Sequence, residues 1–406
     1  MHARGRRGGT YMDNVSGDTG YTRLMYEAAT SAYLTLPQAV EQLRRDAHAR
    51  TVRDTLAKAA GIPAEDKGAL QAFLTDALME TTPGAKRDSV SRKVRVWLND
   101  EEMRTITKES AIQLCFALKL PLQEADALLM RLCEEGFHWR DQREIVYIYA
   151  LMRGQDYTYA TALYAAMEQR GVLDKRREGA PTSYTAAARE RLQSIGSEAE
   201  LEEYLQGSAQ ELGALHNTAY SLFMDFLELL GLPVLDDQLP DVRELSVRNI
   251  MDTYLHERFI PRIRRAAKGD AEKAALTALQ KDIRQSWPDE TALSKMVHRE
   301  TDVTRKVLIL LFLATDGGTS EYGDDLDFEL TPEESFEDMY GRMNSMLADC
   351  GFAPLDSRVP FDWMVLYCMC ADESIFIDGR VQRFLSELFS TGDGKAELAD
   401  GQSARK

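Results

Sequence analysis

Positive charge is in short supply in this 406-residue chain: 49 Lys and Arg stand against 66 Asp and Glu, a formal net charge of -17 at pH 7. A surface of that sign repels phosphate backbones and excludes broad, sequence-independent adhesion to nucleic acid. It leaves room for a local basic face, because charges more than roughly 10 Å apart are largely screened at physiological salt. Cysteine is scarce too. Cys115, Cys133, Cys350, Cys368 and Cys370 are odd in number and include no C-x-x-C pair. That usage fits reduced thiols in a cytoplasm and not a disulfide framework. Cys368 and Cys370, two positions apart, would point to different sides of a helix, so no zinc site is expected. The histidines (His2, His48, His138, His216, His256, His298) have no metal-ligand spacing, and H-E-x-x-H is absent.

Long apolar runs are missing as well. The longest, VLILLFLAT at 307–315, is far short of the ~20 residues a membrane span needs. The first twenty residues are basic with no apolar segment after them, unlike a signal peptide. Residues 1–20 and 391–406 read as disordered tails, and the expected location is the cytoplasm, away from membranes. No G-x-S-x-G, P-loop or dinucleotide fingerprint occurs. The chain is therefore expected not to be an enzyme and to carry no cofactor or metal.

Strand signals are the last shortage: there is no sustained apolar–polar alternation and no Asn-Gly hairpin turn. Apolar residues instead recur at three and four, which predicts an all-α protein built of helical bundles. An N-terminal helical domain is expected over 21–174, a charged Gly/Pro-ended linker (KRREGAP) at 175–181, and a C-terminal helical domain over 182–390. In the second domain a long helix is expected over 209–230 and another over 244–268, broken by Pro261. An acidic loop, 316–335, reads as a surface insertion. The cluster Arg258, Arg262, Arg264, Arg265 and Lys268 reads as a solvated helix face.

The second half echoes the first. Thr107-Lys108 before AIQLCFAL matches Thr304-Arg305 before VLILLFLA, and Gly136-Phe137 matches Gly351-Phe352. Asp141-Gln142-Arg143 matches Asp356-Ser357-Arg358, and Tyr149 matches Tyr367. The shared pieces have a physical reading: the Gly closes one helix in the left-handed conformation, and the Asp caps the next. A degenerate duplication is expected, giving two related helical halves.

One stretch has no basic counterpart in the second half. RDSVSRKVRVWLNDEEMRTITKESAIQLCFALKL, from Arg87 to Leu120, opens with a short cationic segment. The equivalent stretch at 289–300 balances Lys295, His298 and Arg299 against Asp289, Glu290 and Glu300. Helices expected over 65–80, 87–99, 107–118 and 122–135 have the spacing of a helix-turn-helix module. Over about 65–135 the chain resembles bacterial lambda-repressor-like (XRE-type) regulators with a further helical extension. The resemblance implies a DNA-binding regulator whose helix 89–98 lies in the major groove of double-stranded DNA. Arg92 and Arg95 would reach guanine edges, and Lys86, Arg87, Ser89, Ser91 and Lys93 would contact phosphates. Val90, Val94 and Trp97 would face the core. The second half would then serve self-association or a protein partner. The alternative is a protein-interaction scaffold that keeps the helix-turn-helix shape without DNA, its basic residues tied up by carboxylates of the chain.

Overall fold

The computed structural model describes residues 36–38, 51–99, 105–173, 185–213, 215–231, 240–256, 259–260, 278–315, 332–369 and 377–389. Every regular element among them is a helix, so the protein is all-α. No helix among these residues is long and apolar enough to cross a membrane. The expected tails, the linker 175–181, the basic cluster 258–268 and most of the acidic loop lie outside the described residues.

Helices α1 (Val52–Ala60), α2 (Lys67–Thr81), α3 (Arg87–Asn99), α4 (Lys108–Ala117), α5 (Leu122–Cys133), α6 (Gln142–Met152) and α7 (Tyr157–Gln169) enclose a first core. Their starts are set by side chains that satisfy the free N–H groups of a first turn. Thr51 and Asp54 form a reciprocal capping box on α1. Asp66 accepts from Ala69 N at 2.9 Å, Thr107 from Ser110 N at 3.4 Å and Asp141 from Glu144 N at 2.9 Å. The interior packs Leu56, Leu70, Leu74, Leu98, Leu114, Leu129, Leu132 and Tyr147, all essentially buried. Each such aliphatic side chain contributes about 1.5–3 kcal/mol against exposure.

This core runs on to Leu212. Helices α8 (Thr185–Ser194) and α9 (Glu198–Gly207) place Leu192, Leu201, Tyr204 and Leu205 in it. The expected long helix 209–230 does not form. Residues 208–213 are tied to the first half instead: Gly213 N donates to Arg140 O at 3.1 Å, and the buried Arg140 guanidinium donates through Nε to Glu211 O at 3.1 Å. The helix restarts as α10 (Asn217–Leu229), whose Ala219, Phe223, Phe226 and Leu227 belong to a second core.

That second core collects α11 (Pro240–Thr253), α12 (Ala278–Ser286), α13 (Glu290–Val297), α14 (Arg305–Ala314), α15 (Pro332–Asp349), α16 (Pro360–Met369) and α17 (Ile377–Phe389). Thr304 caps α14 as Thr107 caps α4. Leu36, near the start of the chain, packs against this second core and not the first.

The loops matched in sequence meet each other in space. Glu135 and Phe352 form an antiparallel bridge; Gly136 N donates to Gly351 O at 3.0 Å and Ala353 N to Glu134 O at 2.9 Å. Gly351 has φ 77, as expected for a left-handed turn. Gly136 does not: the left-handed residue after α5 is Glu134, with φ 63. Gly136 is small for another reason, since a Cβ there would lie 2.6 Å from Asp126 Oδ1 and 2.7 Å from Met130 Cε. Asp356, unlike Asp141, caps no helix. Its carboxylate takes Arg358 N at 3.0 Å and Arg358 Nε at 2.8 Å, and α16 starts later at Pro360.

Behind each loop sits an ion pair at corresponding positions, buried in one case and half-buried in the other. Arg305, first residue of α14, grips Asp362, third residue of α16, at 2.8 and 2.7 Å. Its remaining donors reach Ala353 O at 2.8 Å and Pro354 O at 3.0 Å. Lys108, first residue of α4, lies 2.9 Å from Glu144, third residue of α6, and 3.4 Å from Glu135. Burial opposes charge on Lys108, but Glu144 and Glu135 outweigh it and hold the ammonium above the usual lysine value. Both carboxylates also take a loop N–H, Asp362 from Asp356 at 2.8 Å and Glu144 from His138 at 2.7 Å. Lys306 reaches across to Glu134 at 3.3 Å. The His138 ring stacks on His216 at 4.0 Å, and His216 Nδ1 meets Asp302 Oδ2 at 2.6 Å.

Two outcomes follow from the junction. Arg305→Ala leaves the Asp362 carboxylate buried and unpaired, and a denaturant melt is expected to show a loss of about 3–5 kcal/mol. Burial first, then His216, Lys108 and Arg140, hold the His138 imidazole well below its usual value. The unfolded chain therefore binds a proton that the folded chain refuses, so the His138 contribution is intact above about pH 6.5 and stability falls as pH drops below it. The expected slope is at most about 1.4 kcal/mol per pH unit, flattened in His138→Phe, as read by thermal melts between roughly pH 5 and 7.

Candidate nucleic-acid interface

The turn 82–86 joins α2 to α3. Gly84 sits there at φ 83, a conformation that costs a residue with a Cβ but not glycine. The helix begins at Arg87, where Lys86 O accepts from Ser89 N at 2.9 Å and Val90 N at 3.2 Å. Asp88 falls in the first turn, where a negative charge suits the helix dipole.

Three side chains fix the helix to the first core: Val94, Trp97 and Leu98 are buried, and Val90 packs partly buried beside them. Neighbours hold it along its length. Gln71 Nε2 donates to Ser91 Oγ at 2.9 Å, Arg87 pairs with Asp76 at 2.5 Å, and Arg53 Nη1 reaches Leu98 O at 3.5 Å. The opposite face is left to solvent.

The expected contact residues fall into two groups. Lys86, Ser89, Arg92 and Arg95 are exposed, and their side chains have no partner among the described residues. The others are engaged. Ser91 is half-buried and accepts from Gln71, which leaves its own hydroxyl proton to donate. Arg87 shares an exposed ion pair with Asp76, of a kind worth at most about 1 kcal/mol and open to exchange for a phosphate. Lys93 Nζ stands 5.1 Å from the centre of the Trp97 ring. Partial burial pulls its pKa down, and the charge of Glu109 pushes back. Glu109 is itself engaged by Tyr147 OH at 3.3 Å, Arg143 at 3.4 Å and Tyr157 OH.

Sequence reasoning passed over Val96 and Asn99, which share this exposed face; Val96 is 51% exposed. The signal was available in the helical spacing 92, 95/96, 99. The counterpart helix α13 offers nothing similar. Glu290 there pairs with Arg248 at 3.4 Å, His298 Nδ1 turns back to Ser294 O at 2.8 Å, and Arg299 holds Asn217 Oδ1 at 2.5 Å.

Elsewhere the chemistry is quiet. Among the described residues no group of His, Cys, Asp and Glu could hold a metal. Burial pushes the Cys115 thiol up, and those of Cys133 and Cys350 up to about 12, so none has an appreciable thiolate fraction at neutral pH.

Comparison with protein-family models, with curated proteins and with solved structures gives no match. The reading of this face therefore rests on its own geometry.

Anchoring and exposed faces should separate on mutation. Trp97→Ala is expected to cost about 3–5 kcal/mol through the cavity it leaves. Arg92→Ala and Arg95→Ala are expected to leave the denaturant midpoint within about 0.5 kcal/mol of the parent.

Proposed function

We propose that the chain is a DNA-binding regulatory protein that contacts duplex DNA through α3, and that its second half is a degenerate copy of the first. The observation that carries the first part is the pair Arg92 and Arg95: exposed, unpaired among the described residues, and on a helix whose other side is locked into a core. On a chain of net charge -17 carboxylates are plentiful; Arg131 and Arg383 are also exposed without a partner among the described residues, but α3 carries two such guanidiniums on one face. Guanidiniums match phosphate and guanine O6/N7 in a bidentate way that ammonium groups do not. Lys86, Arg87, Ser89 and Ser91 flank them at the helix start and suit the phosphates on either side. The pairing of the two halves around 134–136 and 351–353, with ion pairs at the same helix positions, supports the copy reading.

In this reading the second half docks on the first, and α13 binds no DNA. A scaffold without DNA affinity is the competing function, favoured by the overall negative charge.

Fluorescence anisotropy with a pooled duplex library at roughly 50 and 200 mM salt decides between them. Binding is expected at the lower salt, with log K falling against log salt by about 0.9 per phosphate contact. Arg92→Ala and Arg95→Ala should each weaken it. Absent or salt-independent binding, or binding unchanged in both variants, overturns the DNA reading.

A further inference from the structure

The two halves meet through loops. Among the described residues, helices in substantial contact pair within one half, and the two cores are separate clusters. Halves joined in this way move against each other by default. The register of the joint is symmetric: the bridge between Glu135 and Phe352 sets Gly136 opposite Gly351, the residues that match in sequence. The symmetry breaks two positions on. Ala353 N donates to Glu134 O at 2.9 Å, but the equivalent His138 N turns to Glu144 at 2.7 Å. One flank of the joint is therefore a backbone ladder. The other is a pair of imidazoles, one from each half.

His138 is 7% exposed and stacks on His216 with ring centroids 4.0 Å apart. From the first half, Lys108 of α4 and Arg140 of its own loop press on it with positive charge, and Glu144 of α6 takes its backbone N–H. From the second half it meets His216, whose Nδ1 lies 2.6 Å from Asp302 Oδ2 and whose ring lies 5.5 Å from that of Phe352. The two carboxylates of this group are committed, Glu144 to Lys108 at 2.9 Å and Asp302 to His216. A proton added to the His138 ring therefore meets cations and no uncommitted carboxylate among these groups. In an opened joint the same ring meets water.

We propose that this joint opens in mild acid, parting the two halves while each core stays folded. The device does not depend on DNA binding. Burial, His216, Lys108 and Arg140 hold the His138 imidazole well below its usual value in the closed joint. The open form therefore takes the proton first, and each pH unit below about 6.5 favours it by up to about ten-fold. Lys108, held charged by Glu144 and Glu135, contributes equally across this range. The Glu144 carboxyl, which burial raises, pulls the other way, so a variant must isolate the histidine.

Hydrogen exchange of the full chain between roughly pH 7.5 and 5.5, corrected for the intrinsic pH dependence of amide exchange, is the test. Protection at Gly136 and Ala353 is expected to fall by up to about ten-fold across that range, while amides inside α4, α6, α14 and α16 hold. In His138→Phe, which keeps an aromatic ring against His216, the fall should vanish. Lys306→Ala, which removes the 3.3 Å pair with Glu134, should lower protection of the joint at every pH and keep the acid fall. A fall of equal size in His138→Phe overturns the proposal. So does joint protection that is the same at both ends of the range, or core amides that lose protection together with the joint. Core amides unprotected at neutral pH would mark a misfolded His138→Phe, and the contrast between joint and core in the parent and in Lys306→Ala then decides.

Discussion

The buried guanidinium of Arg305 is the contact on which the junction of this protein turns. Two of its bonds go to the Asp362 carboxylate and two to the carbonyls of residues 353 and 354. A charge so placed is costly unless it is paired and its donors find acceptors, as four of the five N–H groups do here. Here the donors find them by fixing a loop, and that loop offers its own backbone to residues 134–136 of the other half. Lys108 plays the same part on the facing side with Glu144 and Glu135. The pairing of two short loops would be worth little in open water. Supported from behind by one buried and one half-buried ion pair, and flanked by the stacked His138 and His216 rings, it becomes a defined joint.

That joint explains what sequence could and could not reveal. Helix starts were legible because caps are local: Thr107, Asp141 and Thr304 each act within three residues. The buried sides of α3 and α4 were legible from their apolar spacing. The matched loops were visible as an echo, but nothing in the pattern said that they touch, because backbone pairing between distant loops leaves no side-chain signature. The Gly136 position was misread for a similar reason. Glycine suggests a left-handed turn, whereas this one leaves room for the Asp126 carboxylate and the Met130 methyl group. The long helix expected over 209–230 failed because apolar periodicity cannot see that Leu212 and Phe223 belong to different cores.

At the candidate interface, the cationic residues could be named from sequence, but their availability could not. Of the expected set, Arg87, Ser91 and Lys93 are engaged by Asp76, Gln71 and Trp97. Arg92 and Arg95 are not. The difference comes from packing: α2 approaches one flank of α3 and supplies partners there, while the side chains of Arg92 and Arg95 meet no partner among the described residues. Strong negative charge elsewhere also shapes such a surface. In the proposed function, it would repel a polyanion from most approaches, and screening would confine the attraction to α3.

The placement of Leu36 has a topological consequence. The chain begins its described course on the second core, crosses to build the first over 51–212, and crosses back at 213–217. The second core thus takes packing from chain on both sides of the first. A protease that severed the chain between Leu212 and Asn217 would separate the two halves covalently, leaving the Leu36 side chain, carried on the fragment that holds the first core, packed on the other fragment alongside the loop pairing of 134–136 with 351–353.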